Sequence, residues 1–467
     1  MIDIQNVSFS YEEGMETLSN INLHISQGEC VLLCGASGCG KTTITKLING
    51  LIPHFETGRL EGNTLVKGAS VADTPLYVLS QTVGSVFQNP KSQFFNIDSD
   101  SELAFGLENN GVAPEEIRSR VREVTRQLQI QSLLHRNVFA MSGGEKQSLA
   151  FASVYAMNPD IYVLDEPSAN LDAAATEHLR QQIQTIKAQG KTIVIAEHRL
   201  YYLADLIDRA IYISGGTIQH EYTRQQFLVL TEQQRHSLGL RTIQPPILKR
   251  FTPPPTSGAL EIRNLTVKIK KKIIFEHLCF SASPGKVLGI TGHNGAGKST
   301  LLRCIAGLQK EASGEILLSG TPLKRKTRNR LSYMIMQDVN HQLFGDSVWN
   351  ECLLSCTGAV NEPDICVALQ DYHLLDKKEQ HPMALSGGQK QRLAIVTGIL
   401  AEKKILTFDE PSSGLDYAHM KLVSKTLRGL AEAGHLVLVI THDQELLNST
   451  CDQVFHMGNT TSKEEIG

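Results

Sequence analysis

The stretches GASGCGKT at residues 35–42 and GHNGAGKS at residues 292–299 decide the fold of this 467-residue chain. Both fill the pattern G-x-x-x-x-G-K-[ST], in which glycines turn backbone N–H groups onto phosphate oxygens and the lysine reaches the terminal phosphates. Each follows an apolar run typical of a buried strand, VLLC at 31–34 and VLGIT at 287–291, and precedes a helical pattern. A helix N-terminus adds unpaired N–H groups and a positive dipole end to an anion site. The sequence therefore predicts two phosphate-binding loops.

The expected phosphate contacts are the loop residues and the first turn of each following helix. They are Gly35, Ala36, Ser37, Gly38, Cys39, Gly40, Lys41, Thr42 and Thr43 in the first half, and Gly292, His293, Asn294, Gly295, Ala296, Gly297, Lys298, Ser299 and Thr300 in the second. A glycine-rich turn that binds nothing can imitate one such match. Two matches in the same setting make that alternative weak.

Composition narrows the class of protein. The chain has 45 basic and 48 acidic residues, and this net charge of −3 provides no field that would attract DNA or RNA, so we predict no nucleic-acid partner. No run approaches the length of a membrane span and the N-terminal residues lack the pattern of a signal peptide, so we expect a cytoplasmic chain. Nine scattered cysteines, an odd number, indicate reduced thiols.

Further motifs recur in the same order in both halves. MSGGEKQ at 141–147 corresponds to LSGGQKQ at 385–391, and VLDEPSANLD at 163–172 corresponds to TFDEPSSGLD at 407–416. Equivalent residues lie 257 positions apart at the two lysines and 244 positions apart at the acidic pairs. A repeat of this length is a whole domain rather than a solenoid unit.

The halves are joined by RTIQPPILKRFTPPPTSG at 241–258, whose five prolines favour an extended spacer. We assign a first domain to residues 1–236, a linker to 237–258 and a second domain to 259–467.

An apolar strand pattern ends in two acids in each half, IYVLDE at 161–166 and KILTFDE at 404–410. A parallel sheet binds ligands at the carboxyl edge of its strands, beside the phosphate loop. The first acid is suited to hold Mg²⁺ together with the hydroxyl that follows the loop lysine. The predicted magnesium ligands of this kind are Thr42, Asp165, Ser299 and Asp409. The second acids, Glu166 and Glu410, are placed to orient or deprotonate the attacking water.

Two further residue types complete the predicted sites. His198 and His442 each follow a β-branched run and emerge at another strand end, where an imidazole can reach the terminal phosphate. A lone histidine is more often structural, but recurrence at the same spacing favours function. Gln88 and Gln337 are neutral amides that can contact Mg²⁺ or water from a loop, which makes them candidate sensors.

The stretches SGGEK and SGGQK each open a helix and offer a serine hydroxyl and backbone N–H groups to an anion. A helix cap is the alternative interpretation. Each half then carries two anion-binding motifs, which is hard to explain unless the second motif serves the nucleotide of the other half.

Taken together, these motifs resemble those of tandem ATP-binding cassette proteins. In that family the glutamine lies in the glutamine loop, SGGEK and SGGQK are signature motifs, and the histidine is the switch histidine. Residues 168–172 and 412–416, which follow the acidic strands, correspond to the D-loops. The resemblance covers nearly the whole chain outside the linker. It implies an α/β fold of two P-loop NTPase domains, each with a mainly parallel core sheet and flanking helices, an antiparallel β subdomain and a helical signature subdomain. It also implies ATP and Mg²⁺ as cofactors.

The family resemblance further implies that the two halves pair head to tail within one chain, about a pseudo-twofold axis. Each ATP would then lie between one phosphate loop and the opposite signature. Site one would use Lys41 with Ser386, Gly388 and Gln389, and site two would use Lys298 with Ser142, Gly144 and Glu145.

A narrower resemblance rests on FQNPKSQFFNIDSDSELAFGLEN at 87–109, which is similar to energy-coupling factor transporter ATPases. It implies an energising subunit of a membrane importer for a vitamin, metal ion or similar micronutrient, peripheral on the inner face of the cell membrane. Gln88 to Phe95 and Gln337 to Phe344 would dock a transmembrane scaffold subunit, and their aromatics suit a docking surface. A separate membrane subunit would bind the substrate.

Other function classes fit less well. A soluble tandem cassette protein acting on ribosomes usually has a long, charged helical linker, whereas this linker is short and proline-rich. A tandem sugar-importer ATPase usually has one degraded site, whereas both sites here keep their motifs. A pure binding protein would not need duplicated catalytic groups.

Three departures predict asymmetry or unusual chemistry. Tyr11 is placed to stack on adenine, but the equivalent residue is Ile269, so we expect a weaker adenine grip at site two. Glu145 replaces the usual signature glutamine and would repel the γ-phosphate unless it points away, which predicts slower hydrolysis there. Cys39 lies near a lysine and a helix N-terminus, which could lower its pKa, although a small residue tolerated in a tight loop is the favoured interpretation.

Overall fold

The computed structural model describes residues 1–11, 17–169, 171–255, 257–270, 272–356 and 361–458. The chain divides into two compact units. They are Met1–Pro245 with Asp416–Ala418, and Pro246–Leu415 with His419–Gly467. The main division thus falls between two neighbouring prolines of the proline-rich stretch.

The elements of the first unit follow the predicted alternation of strands and helices. Its strands are β1 (Ile2–Ser10), β2 (Leu18–Ile25), β3 (Cys30–Cys34), β4 (Arg59–Val66), β5 (Ala69–Ser70), β6 (Val83–Val86), β7 (Ile161–Asp165), β8 (Thr192–Ala196), β9 (Arg209–Ser214) and β10 (Thr217–Thr223). Its helices are α1 (Lys41–Ile48), α2 (Leu51–His54), α3 (Leu76–Thr82), α4 (Ser99–Asn109), α5 (Pro114–Gln127), α6 (Gly143–Ala156), α7 (Ala173–Ala188), α8 (Arg224–Leu228) and α9 (Glu232–Ser237).

Two sheets organise the first unit. The core sheet has the order β10-β9-β3-β8-β7-β6 and is parallel apart from the β9–β10 pair. A second, antiparallel sheet has the order β2-β1-β4-β5. Strand β3 shows why the core sheet is buried on both faces: its alternate residues Cys30, Leu32 and Cys34 join one apolar cluster, whereas Val31 and Leu33 join another.

The second unit repeats this plan. Its strands are β11 (Leu260–Ile269), β12 (Lys272–Ala282), β13 (Val287–Thr291), β14 (Ser313–Leu318), β15 (Thr321–Pro322), β16 (Ser332–Ile335), β17 (Ile405–Asp409), β18 (Leu436–Ile440) and β19 (Gln453–His456). The corresponding helices are α10 (Lys298–Ile305), α11 (Arg325–Leu331), α12 (Val348–Ser355), α13 (Glu362–Asp371), α14 (Gly387–Leu400), α15 (Tyr417–Glu432) and α16 (Gln444–Thr450).

The sheets of the second unit have the orders β16-β17-β18-β13-β19, which is wholly parallel, and β12-β11-β14-β15, which is antiparallel. Matching strands therefore occupy matching places in the two units. The predicted parallel core sheet and antiparallel sheet of each half are confirmed. In each unit, three strands that lead to predicted site residues are neighbours: β3, β8 and β7 in the first, and β13, β18 and β17 in the second. Because these strands are parallel, their carboxyl ends meet at one edge of the sheet.

Candidate functional site

The two phosphate loops connect β3 to α1 and β13 to α10, as the motifs predict. Gly40 and Gly297 precede the helices with φ of 106° and 92°, a left-handed conformation that suits glycine. The loop lysines are buried and turn back onto their own loops. Lys41 Nζ donates hydrogen bonds to the carbonyls of Gly35 and Ala36 at 3.1 and 2.9 Å.

Lys298 repeats this geometry and donates to the carbonyls of Gly292 and His293 at 2.8 and 2.9 Å. Both ammonium groups are therefore held at the concave side of a glycine-rich turn that ends in a helix N-terminus. Such a turn provides the backbone N–H groups and positive charge that a polyphosphate needs.

The predicted magnesium ligands lie together in each unit. Thr42 Oγ1 donates a hydrogen bond of 3.1 Å to Asp165 Oδ1, and Ser299 hydrogen-bonds Asp409. Burial raises the pKa of Asp165 to about 6 and also raises the pKa of Asp409. One carboxylate and one hydroxyl suit Mg²⁺, which takes few protein ligands and fills its shell with water and substrate phosphates. Among the described residues, no group of three or more His, Cys, Asp or Glu that could hold a metal ion is found.

Glu166 lies at the centre of the first site. Gln88 Nε2 donates to its Oε2 at 2.7 Å, and His198 Nε2 lies 3.5 Å from its Oε1. Burial raises the pKa of Glu166 to about 8, with further contributions from the charges of Glu197 and Asp165. The backbone of Glu166 is left-handed with φ of 44°, a conformation that non-glycine residues rarely adopt outside constrained sites.

Glu410 occupies the equivalent place in the second unit, with φ of 51°. His442 Nε2 lies 3.6 Å from Glu410 Oε1 and 3.1 Å from Oδ1 of Asn294 in the phosphate loop. The backbone N–H of His442 donates to Glu410 Oε2 at 3.2 Å. Gln337 is exposed, two residues after the end of β16, where the second docking segment begins. The structure thus brings the predicted base and histidine together in each unit, and in the second unit the histidine also contacts the phosphate loop.

The raised carboxyl pKa values predict a pH dependence of stability. Because folded Asp165 and Glu166 hold protons that the unfolded chain releases, the free energy of unfolding should fall as pH rises from about 4.5 through about 8. Urea unfolding of the nucleotide-free chain without Mg²⁺, repeated across this range, measures the slope. Glu166→Gln should flatten the slope between pH 6 and 8, and an unchanged slope would contradict the assignment.

The signature motifs form capped helices, so the helix-cap interpretation holds in both units. Ser142 caps α6 in a reciprocal capping box with Glu145, and Ser386 caps α14 in the same way with Gln389. The second glycines, Gly144 and Gly388, lie in the first turns of these helices. Because each serine oxygen is the acceptor in its cap, the hydroxyl can also donate a hydrogen bond to an anion.

Glu145 folds back onto the backbone of its own helix cap and is neutralised by a partner that sequence reasoning missed. Arg136 Nη1 donates to Glu145 Oε1 at 2.5 Å, while the backbone N–H of Ser142 donates to Oε2 at 2.7 Å. Burial opposes ionisation of Glu145, but these hydrogen bonds and the Arg136 charge outweigh it and lower its pKa. The position equivalent to Arg136 is Gln380, so the charged pair replaces a pair of glutamines.

Tyr11 lies beside the first phosphate-loop helix. Its hydroxyl is 3.5 Å from the hydroxyl of Thr43, and the ammonium of Lys46 lies 5.4 Å from its ring centroid. Ile269 ends strand β11 at the equivalent place and is exposed. The expected difference in adenine affinity stays a prediction.

Cys39 does not have the activated thiol that its position could provide. Its side chain is buried, and this burial raises the pKa of the thiol despite the neighbouring Lys41 ammonium. All nine cysteines are free. The interpretation of Cys39 as a small residue in a tight loop is therefore preferred.

Outside the nucleotide site, the two predicted docking segments are built alike. Gln93 accepts a hydrogen bond from the N–H of Phe87 at 3.3 Å and donates to the carbonyl of Ser85 at 3.2 Å. Gln342 makes the same two contacts in the second unit, with Met336 and Met334. A glutamine thus closes the base of each segment.

A buried glutamate holds the other end of each docking segment. Glu102 Oε2 accepts from the N–H groups of Phe95 and Asn96 at 3.1 and 2.8 Å. Glu351 Oε2 accepts from those of Phe344 and Gly345, both at 2.6 Å. The phenylalanines themselves are 76% and 80% exposed. Sequence comparison of the halves could have found these glutamates, which lie at equivalent positions.

Two phosphate loops, each completed by an acidic strand end and a histidine on a parallel sheet, define a tandem P-loop nucleotide hydrolase. The sequence model of the family described as ABC transporter matches residues 18–169 and 275–413. The chain therefore belongs to the ABC transporter family of ATPases. Membership implies that it binds and hydrolyses ATP, and Mg²⁺ is the general companion of ATP in such enzymes.

Relatives match over most of their length. A Treponema denticola protein, named as an ABC transporter ATP-binding protein, is 48% identical over 100% of this chain and 97% of its own. A Bacillus subtilis protein, named as an HMP/thiamine import ATP-binding protein, is 32% identical over 98% of this chain and 90% of its own.

Solved structures share the fold. An archaeal ribosome recycling factor, solved with a ribosomal stalk protein, is 21% identical with a TM-score of 0.64, covering 94% of this chain and 84% of its own. A protein described as RNase-L inhibitor is 20% identical with a TM-score of 0.65, and the match covers 97% of this chain and 87% of that protein. These likenesses establish the predicted α/β fold of two ABC ATPase domains.

Within the described ranges, no helix combines the length and apolar character that crossing a bilayer requires.

Proposed function

We propose that this chain is the ATP-hydrolysing subunit that energises a membrane importer, of the energy-coupling factor type, for a vitamin, metal ion or similar micronutrient. The observation that carries the proposal is the pair of docking segments, each closed at its base and tip and each presenting an exposed phenylalanine. Such exposed aromatics, backed by a rigid backbone, suit burial against another protein. The chain would lie on the inner face of the cell membrane.

The first docking segment connects directly to the predicted base. Gln88 begins the segment and donates to Glu166, whereas Phe95 ends it and stacks on Phe105 with a centroid distance of 4.9 Å. Movement of a partner against Phe95 would therefore shift the glutamine that contacts the catalytic carboxylate. Equally, a change in the contacts of Glu166 during hydrolysis would move Gln88 and, through the segment, Phe95.

The proposed chemistry assigns one role to each residue type. Thr42 and Asp165 would hold the magnesium ion, which supplies charge neutralisation at the phosphates when bound. Lys41 would leave its loop carbonyls for the terminal phosphates. Glu166 would accept the proton of the attacking water in its ionised form, which the charge of the nearby Lys41 favours against the effect of burial. His198 would orient Glu166 or the terminal phosphate.

The second unit would use its equivalent residues, and we propose that each site is completed by the opposite signature. Site one would take Ser386, Gly388 and Gln389, and site two Ser142, Gly144 and Glu145. Because Glu145 is paired with Arg136, its charge is a weaker obstacle to the γ-phosphate than the sequence alone suggests. The slower turnover expected of site two would then rest chiefly on Ile269.

Import is favoured because the Bacillus subtilis relative is named for import, whereas likeness to the ribosome recycling factor is below 25% identity and concerns fold only. A separate membrane subunit would select the substrate, and a transmembrane scaffold would contact the docking segments. Acting on ribosomes remains the alternative that an experiment must separate.

Co-purification of membrane partners tests this proposal. The tagged chain, purified in mild detergent from the membranes of cells that produce it naturally, should retain a transmembrane scaffold subunit. Phe95→Glu combined with Phe344→Glu should abolish retention, because a carboxylate would be buried at each contact. Phe55→Glu, at a phenylalanine that is 75% exposed after α2, is the matched control and should retain the scaffold. Recovery of ribosomes in place of the scaffold would contradict an importer.

A further inference from the structure

The loop of the switch histidine differs between the halves on both sides of that residue. Glu197 and Arg199 flank His198, whereas Thr441 and Asp443 flank His442. Glu197 is only 3% exposed. Glutamate is rarely buried unless it is paired or well hydrogen-bonded, so its contacts indicate why it is tolerated.

Glu197 accepts four hydrogen bonds that come from two loops. Its Oε1 accepts from the backbone N–H groups of His198 at 2.7 Å and Arg199 at 3.0 Å. Its Oε2 accepts from the backbone N–H of Ser168 at 3.2 Å and from the Tyr202 hydroxyl at 2.9 Å. One carboxylate therefore joins the switch-histidine loop to the D-loop, whose residue Asn170 lies outside the described residues.

Arg199 adds a second connection between the same two loops. Its Nη1 donates to the carbonyl of Leu171 at 3.0 Å. Together, Glu197 and Arg199 bind an N–H group and a carbonyl of the D-loop, which fixes its backbone at two points.

The second unit joins the same two loops with the acid on the other side of the histidine. Asp443 Oδ2 accepts from the Ser412 hydroxyl at 2.8 Å, while its Oδ1 accepts from the N–H groups that begin α16. Thr441 Oγ1 accepts from the N–H of Asp443 at 3.0 Å. The connection is thus present in both units, but different residues make it.

We propose that Glu197 is a positioning residue for ATP hydrolysis in the first unit, where it holds His198 and the D-loop in place around Glu166. The inference rests on the proposed roles of Glu166 and His198. His198 Nε2 lies 3.5 Å from Glu166, and its own backbone is anchored by the neighbouring Glu197 carboxylate. Loss of that carboxylate leaves three backbone N–H groups without their acceptor while the phosphate loop stays intact.

The test uses the full chain with Glu410→Gln, so that the remaining turnover reports the first site. Tyr202→Phe is added throughout because the hydroxyl would otherwise lose its acceptor. Glu197→Thr should then lower kcat by about 10- to 100-fold, the loss expected for charge-assisted hydrogen bonds, while KM for ATP stays within about twofold. A residue that only stabilised the fold would not separate kcat from KM in this way.

The decisive comparison introduces into the first unit the residue types that flank His442 and measures whether kcat recovers. Adding Arg199→Asp to Glu197→Thr recreates the threonine-histidine-aspartate order and should restore most of the lost kcat. If Glu197→Thr does not fold, Glu197→Gln replaces it, because it keeps the shape and only one accepting oxygen. Its expected loss of kcat is about 10-fold.

Two results would overturn the inference: an unchanged kcat without Glu197, or no recovery in a rescue variant that melts at the parent temperature. Failure of the proposed roles of Glu166 and His198 looks different. In that case Glu166→Gln, introduced with Glu197 intact, would leave phosphate release unchanged, whatever the Glu197 variants do.

Discussion

Replacing both Glu166 and Glu410 by glutamine should lower steady-state ATP hydrolysis by about 10² to 10⁴, the usual cost of removing a general base. Glutamine has nearly the same shape, and its carbonyl oxygen can still accept the hydrogen bond that Gln88 donates to Glu166. The phosphate loops and magnesium ligands are untouched, so nucleotide binding should persist. Phosphate release measures the first effect and fluorescent-nucleotide titration the second.

The single variants separate the two sites. Glu166→Gln should remove turnover at site one, and Glu410→Gln should remove it at site two. Glu61→Gln serves as the control, because Glu61 pairs with Arg59 on the surface strand β4 and should not affect hydrolysis. A double variant with the parent rate would show that the bases are wrongly assigned.

Alanine at Gly35 should destabilise the first unit by about 3 kcal/mol or more, from backbone strain together with overpacking. Gly35 has φ of 147°, and a Cβ there would lie 2.1 Å from the carbonyl oxygen of Ile213 in β9. Gly292→Ala should act similarly in the second unit, since φ is 145° and the Met457 carbonyl oxygen would be 2.5 Å away. Backbone atoms cannot yield as a flexible side chain can.

Two glycines of the same loops provide matched controls. Gly38 and Gly295 also have positive φ, but nothing lies within 4 Å of a Cβ added at either. Alanine there should cost only the conformational term of about 1 kcal/mol. For domains of this size each kcal/mol shifts the melting temperature by about 2–4 °C, so calorimetry of the nucleotide-free chain can distinguish the pairs. Equal shifts at Gly35 and Gly38 would contradict this account.

Much of the fold could be predicted from the sequence because local patterns determine it. Apolar runs such as VLLC are typical of strands buried on both faces of a parallel sheet, and the loop motif places a helix after each run. Recurrence at a constant spacing of 244 positions then identified Glu166, His198 and their partners as one group. The structure places these residues together in each unit.

The sequence did not predict contacts between side chains and groups that lie elsewhere along the chain. Glu197 carries no motif, and its function becomes visible only when the Ser168 N–H and the Tyr202 hydroxyl are seen to meet it. Cys39 agrees with the favoured interpretation: nearness to Lys41 left an activated thiol as the lesser alternative, but burial has the larger effect and raises the pKa of the thiol. How deeply one isolated side chain is buried depends on the packing of the whole unit, so the neighbouring sequence does not predict it.

The ion pair of Arg136 and Glu145 restricts how the two halves of the chain can be exchanged. Glutamine at 145 alone would leave a guanidinium beside a helix N-terminus, where positive charge is unfavourable. Arginine at Gln380 alone would create the same problem in the second half. Positions 136 and 145 must therefore be exchanged together. A chimera that moves residues 141–147 without Arg136 would lose the neutralisation of Glu145. The halves are therefore related modules whose parts are no longer interchangeable one at a time.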